Sequence, residues 1–153
     1  MTIRMGIAGL TAIVLAAGAA SAETLAPGDV TFKDGAVESS LTGQPGDPEA
    51  GAKAFADRKL GNCLACHAVS QMSDQLFHGN VGPALDGVAA RYSPETLRAI
   101  VTNSKEVFGE QTVMPGFYSL DVGIDVAEAF QGKTILSAQD VEDVVAFLGT
   151  LQE

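Results

Sequence analysis

The run Cys63-Leu64-Ala65-Cys66-His67 constrains this chain more than any other stretch. On one helical turn Cys63 and Cys66 are three apart and His67 lies four beyond Cys63, so all three side chains project from one face. Two thiols and an imidazole on one face is the pattern of covalent c-type haem attachment. Each thiol adds to a vinyl group to form a thioether, and the histidine offers a ring nitrogen to the iron as proximal ligand. Other uses of the same residues fit less well. A redox dithiol usually follows a strand and opens a helix, often with a low-pKa first cysteine, and nothing β-like precedes Cys63. A zinc site needs about four ligands, whereas the chain holds two cysteines and two histidines in all. A disulfide between adjacent helical positions is poor geometry and leaves His67 without a role.

The amino terminus reads as a segment separate from the fold. Met1 to Arg4 is a short basic start, Gly6 to Ala17 an apolar run, and Ala20-Ser21-Ala22 a small-residue cleavage pattern, together the marks of a secretory signal occupying residues 1–22. An uncleaved anchor is the competing reading, but the apolar run is shorter than the roughly 20 residues a span requires. Past Ala22 no stretch is long and apolar enough to cross a bilayer, so no membrane span is expected in the mature chain.

With 19 acidic against 9 basic residues the formal net charge is −10, one unit more negative once Arg4 is removed. Such a balance excludes nucleic acid as a natural partner. It suits either a well-solvated surface or docking on a partner with a basic face.

Taken in order, residues 23–46 are polar and punctuated by Pro27, Gly28, Gly35, Gly43, Pro45 and Gly46, which reads as an extended arm. Val30, Phe32, Val37 and Leu41 could lie along another surface; a loose terminus is the equal alternative. Residues 47–153 then read as the folded domain. Asp47-Pro48-Glu49 starts a helix expected to reach about Arg58, with an N-cap acceptor, a first-turn proline and an acid at the positive end of the dipole. Gly82-Pro83-Ala84-Leu85 is compact and apolar, either a simple turn or a segment holding the proximal histidine. Ser93-Pro94 opens a middle helix of about ten residues. Ser137-Ala138-Gln139-Asp140 is a capping box before the stripe Val141, Val144, Val145, Leu148 and Leu151. The chain is therefore all-α, with three to five helices, no convincing strand and long loops. A buried haem would give those loops something to wrap.

For a second axial ligand the candidates are Met72, His78, Met114 or an open position. Met72 follows His67 too closely to pass the ring edge. Met114 lies beyond the middle helix, and Pro115 disfavours α conformation there, so an extended loop could bring its soft thioether across the opposite face. Met114 is the favoured ligand, and His78 reads as an ordinary loop histidine.

Three stretches carry a resemblance: Gly61 to His67, Met114-Pro115-Gly116-Phe117-Tyr118, and Gly132-Lys133-Thr134-Ile135-Leu136 through Val144-Val145-Ala146-Phe147-Leu148. Together they resemble class I cytochromes c, and more closely the SoxX family, the small monohaem subunits of SoxAX sulfur-oxidation cytochromes. The resemblance implies one covalent haem c held by Cys63 and Cys66, with His67 and Met114 as axial ligands of its iron. It implies a crossing of the first and last helices through a small residue and aromatics, for which Gly51, Phe55 and Phe147 are the candidates. It further implies a periplasmic heterodimer with a SoxA-like haem subunit. There thiosulfate is oxidatively joined to a cysteine of a SoxYZ-like carrier, and this chain's haem passes electrons to a downstream acceptor cytochrome. In that complex, an L-cysteine S-thiosulfotransferase, the chain is a non-catalytic electron-transfer subunit, and no spare cysteine is left for substrate chemistry. A freely diffusing acidic cytochrome c shuttle is the alternative, and a thiol module without haem a more distant one.

Overall fold

A computed structural model describes residues 23–121 and 123–152. The expected signal segment, residues 1–22, lies outside them. Among the described residues there are four α-helices, α1 (Pro48–Ala56), α2 (Val88–Arg91), α3 (Pro94–Phe108) and α4 (Ala138–Leu148), and no strand beyond an isolated bridge between Lys33 and Ala36.

The helix starts follow the local chemistry. The Asp47 carboxylate accepts from the Glu49 and Ala50 amides, Ser93 Oγ accepts from the Thr96 amide, and Ser137 and Asp140 form a reciprocal capping box. Each such cap stabilises its helix by about 1 kcal/mol. The ends differ from expectation. α1 stops at Ala56 rather than Arg58, because Asp57 turns extended and the chain folds back, placing the Gly61 amide on the Ala54 carbonyl at 3.2 Å. α4 stops at Leu148 rather than Leu151; tight turns carry the chain to Leu151, whose carbonyl accepts from Ala89 of α2. The middle helix is 15 residues long, not ten, and is broken inside at Asn103.

The core is built on α1 crossing α4. Gly51 lies directly on the Asp143 carbonyl, where a Cβ would collide, and beside it Phe55 meets Phe147 edge to face at 5.4 Å between centroids. A glycine at the crossing lets the backbones approach until the two aromatic rings interlock.

Residues 23–46 lie against α3 and α4. Leu41 is 0% exposed and Val37 is buried with it. Their backbone polar groups are met by an ion pair between α3 and α4: Glu142 Oε1 accepts from the Leu41 amide at 2.8 Å, and Arg98 donates to the Val37 carbonyl at 2.9 Å. Arg98 and Glu142 also join each other through Nε–Oε1 at 2.8 Å and Nη2–Oε2 at 3.1 Å. A buried fork of this kind is sustained only when its remaining donors and acceptors are satisfied. Here the segment's own backbone satisfies them.

Candidate functional site

The motif turn begins at Asn62, whose left-handed backbone (φ 48°) redirects the chain out of the fold-back. Cys63–Ala65 then form a 3-10 turn, not the full helical turn expected. The Cys66 and His67 amides both donate to the Cys63 carbonyl, at 3.1 and 2.9 Å. The tighter winding still holds Cys63, Cys66 and His67 in one turn. Both cysteines are free. Burial pushes the Cys63 thiol up to about 12, so it stays protonated at neutral pH. That is opposite to the low-pKa first cysteine of a redox dithiol.

The loop after the motif closes around it. The Gly79 amide donates to the Leu64 carbonyl at 2.7 Å and the Gly82 amide to the Cys66 carbonyl at 2.9 Å. A Cβ at Gly79 would strike the Ala65 carbonyl, and one at Gly82 would collide with the His67 ring at its Cε1. His67 Nδ1 lies 2.7 Å from the Pro83 carbonyl oxygen. A carbonyl only accepts, so Nδ1 carries the proton and donates, which leaves Nε2 with its lone pair available for a metal. Of the two readings of Gly82-Pro83, this geometry favours the holding segment over the plain turn. The contact itself was invisible in sequence, although two glycines in a short loop are a signal of close backbone approach.

Met114 stands on a different wall. Its loop docks on α3: the Phe117 amide donates to the Val101 carbonyl at 3.2 Å, the Tyr118 amide to Thr102 at 3.0 Å, and Ser104 Oγ to the Met114 carbonyl at 2.6 Å. Among the described residues no hydrogen bond joins this loop to the motif turn. His78 is occupied elsewhere, with Nε2 3.0 Å from the Met72 carbonyl and Nδ1 accepting from the Val69 amide at 3.4 Å. Met72 packs against the core.

The donor set fits a haem. Two thiols and a pre-oriented imidazole share one turn, a thioether stands on a separate loop, and the segments bearing them expose apolar side chains, with Phe77 77%, Val81 69% and Val113 81% exposed. Cys63 and Cys66 would hold such a group covalently, and His67 would ligate its iron through Nε2. Phe77 has a positive φ of 68° and stacks under the Arg58 guanidinium at 5.7 Å. Arg58, Lys59 and Leu60 line a cleft of about 330 Å³ opposite Val126, Phe130 and Ile135, so Phe77 and this cleft border one surface next to the motif.

Compared with known proteins, residues 48–152 match the Cytochrome c family. Among solved structures the chain is similar to SoxXA from P. pantotrophus, at 45% identity over 85% of this chain and 99% of that one, with a TM-score of 0.79. It is also similar to the c-type cytochrome SorU from Sinorhizobium meliloti, at 23% identity over 69% of this chain and 90% of that one, with a TM-score of 0.44. A comparison with curated proteins finds no match.

Proposed function

The chain belongs to the cytochrome c family and is a SoxX-type member of it, and from that premise we propose that it is the electron-accepting subunit of a SoxAX-type complex in the periplasm. The observation that carries the reading is the 45% identity to a chain of SoxXA across 99% of that chain's length. Family membership brings a covalent haem c, which supplies one-electron redox chemistry when bound.

Cys63 and Cys66 would anchor it, and His67 through Nε2 and Met114 through its thioether would hold its iron. The Pro83 carbonyl fixes the His67 tautomer and the orientation of its ring. A methionine ligand would favour the reduced state and so ready electron acceptance. In the coupling reaction a carrier cysteine thiolate and thiosulfate form a sulfur–sulfur bond and release two electrons, which leave one at a time through this subunit. The partner is a SoxA-like haem subunit, the carrier a SoxYZ-like protein, and the final recipient a downstream cytochrome.

The acid excess alone would suit a diffusing shuttle. Against that, Leu60 and Phe130, exposed on the cleft beside Arg58, are the apolar kind of surface that a permanent subunit buries and a shuttle replaces with charge. Affinity purification of the tagged chain from a periplasm that makes the whole system should recover a second, larger c-type cytochrome in equal amount. Recovery of the monomer alone would overturn the subunit reading.

A further inference from the structure

The break in α3 sits where the methionine loop arrives. Asn103 has extended backbone angles (φ −153°, ψ 98°) between helical neighbours, although neither proline nor glycine is nearby to cause it. The break frees the Val101 and Thr102 carbonyls, which in an unbroken helix would accept from amides four residues on. They accept instead from Phe117 and Tyr118. Beyond the break the helix restarts, with Asn103 Oδ1 accepting from the Lys105 amide at 3.3 Å in the manner of an N-cap.

Three consecutive residues at the restart then meet the loop at three points. Asn103 lies under Gly116, where a Cβ would come within 2.8 Å of its Oδ1. Ser104, 0% exposed, donates to the Met114 carbonyl at 2.6 Å. Lys105 Nζ donates to the Thr112 carbonyl at 2.9 Å. On its other side Met114 is confined to extended backbone by Pro115. With its carbonyl tied and its backbone region restricted, the point on the loop from which the Met114 side chain springs is fixed by α3.

We propose that Ser104, turned onto the loop by the break at Asn103, is a positioning residue that holds Met114 at the sixth coordination site; this rests on Met114 being the distal ligand. Ser104 touches neither iron nor ring. It acts on the equilibrium between a seated loop and a loop swung away, and removing one net hydrogen bond shifts such an equilibrium about tenfold. Any external ligand for the ferric iron must displace Met114, so its apparent affinity reports the swung-away fraction directly.

The experiment compares holoprotein of four forms: wild type, Ser104→Ala, Met114→Ala and Thr102→Val. Thr102 is a similarly buried hydroxyl two residues away whose Oγ1 has no partner among the described residues; the substitution keeps the backbone carbonyl that accepts from Tyr118, so loss of the hydroxyl tests general perturbation of α3. The readouts are haem-to-protein ratio, far-UV circular dichroism, the weak far-red band of methionine sulfur on ferric haem, and imidazole titration. Ser104→Ala is expected to keep haem and helix content, weaken the far-red band and bind imidazole about tenfold more tightly, with Thr102→Val unchanged. If Met114→Ala loses the band while Ser104→Ala matches wild type in band and imidazole affinity, the positioning role is refuted and the ligand stands. Equal effects from Ser104→Ala and Thr102→Val refute it too, since any change in α3 would then loosen the loop. If Met114→Ala retains the band, the ligand assignment fails and the proposal with it.

Discussion

At the scale of single residues, the imidazole of His67 is the most constrained group in the chain. Its proton is placed by the Pro83 carbonyl and its ring rests on a residue without a side chain. Gly82→Ala should therefore displace the ring or the loop and lower the haem-to-protein ratio severalfold, whereas Pro83→Ala, which keeps the carbonyl, should have little effect on it. Equal ratios for wild type and Gly82→Ala would show that the ring's seat is soft. That Cys63, Cys66 and His67 share one turn was legible in sequence because their relation is local, contained within five consecutive residues. The Pro83 contact spans 16 residues and depends on how a glycine-rich loop returns, which no local periodicity encodes.

At the scale of elements, the same division holds. Helix starts at Pro48, Pro94 and Ala138 were legible because caps are made by neighbouring side chains. The break at Asn103 and the short helix α2 were not, since the first accompanies the docking of a distant loop and the second is a single turn entered through Gly87 in the left-handed region. Spacing put Gly51 and Phe55 on one face, and the crossing brings them to α4. Gly51→Leu should force α1 off the Asp143 carbonyl and unfold the holoprotein at lower denaturant, a loss of about 3 kcal/mol or more, given that ordinary overpacking costs 1–3 and this side chain would meet backbone. The Arg98–Glu142 fork makes a second case. Glu142→Ala strands both the Arg98 guanidinium and the Leu41 amide, and removing one partner of a buried pair costs about 3–5 kcal/mol. Amide exchange at Leu41 should rise in that variant before exchange at the α1–α4 crossing does. Uniform acceleration would mean that residues 23–46 open only with the whole fold.

At the scale of the whole molecule, two surface properties pull in different directions. The net charge of −10 favours fast, salt-sensitive encounters with a basic partner. The exposed apolar residues beside the motif favour a buried, lasting contact. If the chain is a permanent subunit, its association with a SoxA-like cytochrome should survive about 1 M salt, where screening falls to roughly 3 Å, as judged by size-exclusion chromatography. A shuttle complex held by charge would separate under the same conditions. The acidity would then govern only the later step to the downstream acceptor, whose rate should fall as salt is raised.

The most direct test of electron acceptance is stopped-flow absorbance on the assembled complex, following this chain's haem after thiosulfate and the carrier protein are mixed in. Acceptance through this subunit predicts its reduction in step with modification of the carrier cysteine, its single haem taking one electron at a time of the two that each sulfur–sulfur bond releases. Full modification of the carrier while this haem remains oxidised would contradict it.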